Sequence, residues 1–161
     1  MTRFAQRVAL PFLVLACTAT PCAAQTSSPQ STCVTTRLAK AALPLVLVHV
    51  RVNGQGPFAF FVDTGATVTV IGTPLARALH LPLLDTPVHA VGAGGRFAAR
   101  ASYAAIEIGE MRQDRVLVGV VDLAAIRGAV GPVDGVIGYN FLRPYRVVID
   151  YPANQLCLET P

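Results

Sequence analysis

Acidic residues are scarce in this chain and come late: of 161 residues only nine are Asp or Glu, and none precedes Asp63. The 13 basic residues are scattered, mostly as single arginines that a solvated face explains. No Gly-x-Ser-x-Gly element occurs, so the nucleophile elbow of a serine hydrolase is missing. His49, His80 and His89 have no tight metal-ligand spacing and read as core-edge or surface residues, so no metal site is expected. Val8 to Ala16, with Pro11 inside it, is an apolar stretch of about ten residues, where a bilayer span needs roughly 20. No stable membrane span is expected.

That stretch follows Arg3 and Arg7 and leads to Cys22-Ala23-Ala24 before Gln25, the layout of a secretory signal over residues 1–24. The expected location is periplasmic or secreted. Val14-Leu15-Ala16-Cys17 loosely resembles a lipobox, so a lipoprotein anchored through Cys17 is the runner-up. Removing residues 1–24 leaves 137 residues, enough for one core but not for two lobes. The remaining 11 basic and nine acidic residues give +2 with histidines neutral, too weak to argue for nucleic acid or an anionic membrane. Two cysteines, Cys33 and Cys157, lie outside the signal, and an even pair in an exported protein suggests a disulfide. A bond within the chain, a bond between protomers and two independent thiols all remain open.

Residues 25–36 are rich in Thr, Ser, Pro and Gln and read as a flexible lead-in to a domain over 37–161. Beyond them the texture is mostly strand. Asn53-Gly54 is a hairpin dipeptide between two apolar runs, Ala105-Ile106-Glu107-Ile108 alternates, and Gly109-Glu110-Met111 and Pro152-Ala153-Asn154 read as turns. Short helices are expected after Ile71-Gly72 and Ile137-Gly138. Strands of about six residues with frequent turn signals give an all-β class, a small closed barrel with one or two short helices.

Asp63 closes the apolar run Phe58-Ala59-Phe60-Phe61-Val62 and is followed by Thr64-Gly65-Ala66. A carboxylate carried into an apolar interior costs several kcal/mol by rough estimate unless hydrogen bonds hold it. Thr64 offers a hydroxyl, and Gly65 allows a sharp turn that aims amides at the carboxylate. A faint repeat accompanies the motif: Val68-Thr69-Val70-Ile71-Gly72 is echoed by Asp134-Gly135-Val136-Ile137-Gly138. The repeat sets Val121-Asp122 against Val62-Asp63, but Leu123-Ala124 replaces Thr64-Gly65, which is expected to deprive Asp122 of the turn and donors. Asp85, Asp134 and Asp150 read as loop, turn or strand-end acids.

Asp63-Thr64-Gly65-Ala66 at a strand end, with the downstream Val136-Ile137-Gly138 element, resembles the single-domain retropepsin-like aspartic proteases of viruses and bacteria. The resemblance covers roughly residues 43–159. It implies an acid-protease-like barrel, no cofactor, and hydrolysis of a peptide or protein substrate by water held between two carboxylates. With one good carboxylate per chain, the second Asp63 would come from another copy across a two-fold axis, making a homodimer. Two like charges at about 3 Å would share one proton, favouring acid or mildly acid pH. Thr64 would brace the dyad, Gly65 and Ala66 would hold the carboxylate plane, and Val136, Ile137 and Gly138 would support the loop from below. Thr67 stands where some viral members carry an acid. Val91-Gly92-Ala93-Gly94-Gly95, between two strand-like segments, reads as the tip of a hairpin flap over the substrate. The competing reading is a non-catalytic dimer or peptide-binding module of the same fold in the periplasm.

Overall fold

A computed structural model describes residues 30–39, 45–92 and 95–161. The secretory segment expected over 1–24 lies outside the described residues. The strands are β1 (Ser31–Thr35), β2 (Arg37–Leu38), β3 (Val46–Val52), β4 (Gln55–Val62), β5 (Thr69–Gly72), β6 (Pro87–Gly92), β7 (Gly95–Ile108), β8 (Met111–Val121), β9 (Gly135–Ile137), β10 (Arg146–Asp150) and β11 (Gln155–Glu159). Among the described residues three short helices interrupt them: α1 (Thr73–Ala78), α2 (Ala124–Val130) and α3 (Tyr139–Leu142).

Local chemistry explains much of this order. Val46, Val48, Val50 and Val52 are buried while His49 and Arg51 are exposed, the period-two pattern of a strand with one face on a core. Asn53 and Gly54 both take positive φ, 50° and 74°, as a two-residue type I′ turn requires, and they join β3 to β4 in register Leu47 with Phe61 and His49 with Ala59. The tight turns at Gly109 (φ 57°) and Asn154 (φ 52°) fall where the sequence places them.

Closure comes from tertiary pairing. In the order β3, β4, β9, β5, β8, β7 each strand hydrogen-bonds to the next, and β7 returns to β3 through Arg51 opposite Glu107 and Val52 opposite Ile106. Six strands therefore close a ring, the expected small barrel, with β2 and β6 extending it at the edges. Its interior is filled by fully buried side chains including Phe60, Ile71, Ile106, Ile137 and Phe141. A second cluster, Phe61, Ala66, Val70, Leu123, Val133 and Val136, includes the opposite face of β4, β9 and β5, where Phe61, Val136 and Val70 stand side by side.

Two features differ from the sequence expectation. Among the described residues three helices are present where one or two were expected; α2 has seven residues with Gly128 inside it, too short and too interrupted to show helical periodicity. Ser31–Thr35, assigned by composition to a flexible lead-in, forms β1 and pairs with β11, which pairs in turn with β10. Polar composition misled because β1 alternates exposed and half-buried residues on a separate three-stranded sheet. On the core side of that sheet Leu156 and Leu158 are fully buried, packed with Val147 and Ile149. On the other side Cys33 and Cys157, directly opposite in the β1–β11 register, are joined in a disulfide within the chain.

The disulfide closes a loop with a sequence separation of 124, for which the chain-entropy model gives roughly 4–5 kcal/mol. Reduction, or Cys33→Ser with Cys157→Ser, is expected to lower the free energy of unfolding by roughly 2–5 kcal/mol, read from urea denaturation. Identical midpoints before and after reduction would contradict a stabilising bond.

Candidate active site

β4 carries its apolar side chains as far as Val62 and ends there, so Asp63 leaves the barrel as the strand stops. The strand is fixed by parallel pairing with β9, Phe61 beside Val136 and Val62 beside Ile137, and the Asp63 amide continues the ladder by donating to the Ile137 carbonyl at 3.0 Å. Val136 and Ile137 thus flank the strand that delivers the carboxylate. Beyond it the chain turns: the Gly65 amide donates to Asp63 Oδ1 at 2.9 Å, and the Ala66 amide donates to the Asp63 carbonyl at 3.2 Å.

The expectation of a carboxylate inside the apolar interior is corrected here. Asp63 is half-buried, and Thr64 and Gly65 are exposed. The role of Gly65 also differs, because its φ is not positive. A side chain there would place a Cβ 3.2 Å from Asp63 Oδ1, so glycine provides room for the carboxylate to reach the amide.

Beneath the turn, Ala66 is buried and its carbonyl accepts from the Tyr139 amide at 2.7 Å. Gly138 is pressed on the neighbouring backbone: a Cβ would lie 2.6 Å from the Val68 carbonyl carbon and 2.7 Å from its oxygen. The Gly138 amide donates to Thr69 Oγ1 at 3.1 Å, and that hydroxyl donates to Asn140 Oδ1 at 2.9 Å. Asn140 Oδ1 also accepts from the Thr69 amide, and its Nδ2 donates to the Leu117 carbonyl. Sequence reasoning missed Thr69 and Asn140. The available signal was a lone hydroxyl in Val68-Thr69-Val70-Ile71, which must find a partner once buried.

The hairpin of β6 and β7 reaches over the same end of the barrel. Its last described pair is Gly92 with Gly95; Ala93 and Gly94 of the expected flap tip lie outside the described residues. Val91 is tied to the Asp63 loop twice, its amide donating to Thr67 Oγ1 at 3.1 Å and its carbonyl accepting from the Thr67 amide at 3.0 Å. Thr67 thus bonds the Asp63 loop to the hairpin close to its tip.

Between hairpin and barrel end lies a cavity of about 650 Å³. Asp63 opens into it, and its walls are chiefly aliphatic, from Leu45, Phe61, Val91, Val121, Leu123 and Ile126. Its other carboxylate is Asp122. Contrary to the sequence expectation, Asp122 does make a turn of the Asp63 kind, its Oδ1 accepting from the Ala124 amide at 2.9 Å. An amide two residues on can donate without a glycine, which is why Leu123-Ala124 does not prevent the turn. Asp134 is structural: its Oδ2 accepts from the Ala59 amide at 3.0 Å and its Oδ1 lies 3.5 Å from Arg127. Asp150 accepts from the Ala153 amide in the turn after β10. The histidines are exposed on separate elements, and among the described residues no three His, Cys, Asp or Glu side chains group as metal ligands.

A sequence model of a family described as aspartyl protease matches residues 48–141, from the middle of β3 into α3. The chain belongs to the aspartyl protease family. Among solved structures, a retropepsin-like aspartic protease from Rickettsia conorii matches with a TM-score of 0.55 at 18% identity, covering 83% of this chain and 95% of that one. At that identity the likeness speaks to the fold, which is retropepsin-like. No curated protein matches the chain.

In this member of the family the hydroxyl of Thr69 is expected to matter more than its size. Thr69→Val leaves the buried Gly138 amide without its acceptor and removes one of the two donors to Asn140 Oδ1, and should cost about 1–3 kcal/mol. A thermal unfolding midpoint equal to that of the unsubstituted protein would count against this network.

Proposed function

We propose that the protein is an aspartic endopeptidase in which Asp63 from each protomer of a homodimer faces one water molecule. The observation that carries the reading is the setting of Asp63: a half-buried carboxylate on an exposed turn, at the mouth of an apolar cavity, in a chain of the aspartyl protease family. Among the described residues only Oδ1 is engaged, by the Gly65 amide. The exposed Thr64-Gly65 turn gives a second copy access to the carboxylate.

In the paired state the ionised carboxylate takes a proton from the water as it attacks the peptide carbonyl. The protonated carboxylate donates to the carbonyl oxygen as charge builds there. Collapse of the tetrahedral intermediate breaks the C–N bond, and the proton held by the dyad passes to the leaving nitrogen. Thr64 would brace the two turns across the two-fold axis, and the hairpin anchored at Thr67 would close on the bound segment. An oxidising periplasmic or extracellular setting accords with the disulfide and with the secretory layout of residues 1–24.

The test is cleavage of a mixed peptide library from about pH 4 to 7 by purified residues 25–161, beside Asp63→Asn, with mass in solution measured on the same samples. Asp63→Asn is expected to lower kcat by at least about a hundredfold and to leave the protein folded. A folded dimer that cuts nothing at any pH would point instead to a peptide-binding module.

Two further outcomes follow from a shared site. Specific activity should fall on dilution as protomers separate, whereas activity from a monomer would defeat the dimeric dyad. The rate should also fall on both sides of an acid or mildly acid optimum, because the pair works with one proton and fails with none or two. A rate still rising above neutrality would exclude that pair.

A further inference from the structure

The internal repeat is realised in the strand pairing. β4 ends at Val62 beside Ile137 of β9, and β8 ends at Val121 beside Gly72 of β5, both in parallel register. Each half of the chain thus sends one strand beside the other half's Ile-Gly segment, the two strands finishing at opposite ends of the β4–β9–β5–β8 row because β5 and β9 are antiparallel, and each strand is followed at once by an aspartate. Both aspartates take an amide two residues on, Gly65 for Asp63 and Ala124 for Asp122, and both open into the 650 Å³ cavity. They differ in what surrounds them. Asp63 is followed by an exposed turn, but Asp122 is followed by buried Leu123 and by α2, whose Ile126 and Val130 form part of the cavity wall. Asp122 is thereby held at the side of a substrate cavity.

Among the described residues Asp122 makes no ion pair. Arg127, the basic residue of α2, is committed elsewhere, to the Val133 carbonyl at 2.7 Å and to Asp134. Arg96 and Arg100 share a side of β7 with the cavity residue Ala98, and neither reaches Asp122 as an ion pair. One carboxylate oxygen of Asp122 is used by its own turn; the other has no bond among the described residues.

An aliphatic cavity that carries, besides Asp63, an exposed carboxylate with no ion pair among the described residues selects by charge as well as by size. A lysine or arginine side chain lays its methylene stem along apolar walls and brings a cation to the acid. A neutral apolar side chain would cover the carboxylate without pairing it, and an acidic one would be repelled. Because Asp63 opens into the same cavity, the selected residue belongs to the same bound segment as the bond being cut. Resting on the peptidase reading above, we propose that Asp122 is a specificity residue that directs cleavage to peptide bonds near Lys or Arg.

Asp122→Asn is the discriminating substitution, since the Asn carbonyl oxygen can still accept from the Ala124 amide while the charge is gone. Short synthetic peptides identical except for Lys, Arg, norleucine or Glu, placed in turn at each position near the scissile bond, are compared by kcat/KM. The wild-type protein is expected to prefer Lys or Arg over norleucine by about tenfold or more, and Asp122→Asn to bring that ratio toward one. The same peptides are titrated against Asp63→Asn, which keeps the cavity and Asp122, and their Kd values should show the same order. Cleavage with no preference for a basic residue, or a preference that survives Asp122→Asn, overturns the inference and leaves the peptidase reading intact. Equal loss of cleavage on every peptide in Asp122→Asn also overturns it, by placing Asp122 in the hydrolytic machinery. If the wild-type protein cuts nothing, binding decides: tighter binding of Lys and Arg peptides supports the role of Asp122 while the peptidase reading fails, and binding without that order overturns it.

Discussion

The parallel pairing of β4 with β9 is the constraint on which the rest of the structure depends. It joins strands from opposite halves of the chain, aligns Val62 with Ile137, and is extended by the hydrogen bond from the Asp63 amide to the Ile137 carbonyl. Its counterpart, β5 with β8, is parallel as well and crosses between the halves in the other direction. Neither half can complete its own sheet, so the core closes only when both are present. Such non-local pairing is slow to form, and loop-closure entropy opposes it until several strands have met.

Glycine positions show how tightly that crossing is drawn. A Cβ at Gly135 would collide with the Phe60 ring and the Val70 carbonyl oxygen, and one at Gly138 with the Val68 backbone. The second-half motif is therefore a packing requirement before it is anything chemical: its glycines let β9 and the start of α3 pass against β4 and β5. The buried Thr69 hydroxyl then links the crossing to Asn140 and the Gly138 amide, where an unpaired donor would otherwise be left. Asp63 stands on this base with its carboxylate at the surface of the assembly, consistent with a site that opens toward a substrate or a second copy.

Much of the molecule was legible in advance because its signals are local. Valine alternation fixes β3, Asn53-Gly54 fixes the turn into β4, and Asp63-Thr64-Gly65-Ala66 at the end of an apolar run marks the site. Other features were hidden because they depend on residues far apart. α2 is too short for a period to emerge, β1 is polar by composition yet pairs with β11, and Thr69 finds its partner about 70 positions away. Asp122 was discounted for lacking Thr-Gly after it, although the turn it makes needs only an amide two residues on.

The sequence by itself determined the class of structure, the strand that carries Asp63 and the family to which the chain belongs, because periodicity, turn chemistry and a short motif act within a few residues. Tertiary structure alone decided that β7 returns to β3 to close the barrel, that Cys33 and Cys157 stand opposite each other, and that Asp63 and Asp122 open into one cavity. Those relations join segments separated by tens of residues, and only the packing of the whole core selects among the pairings that local preferences allow.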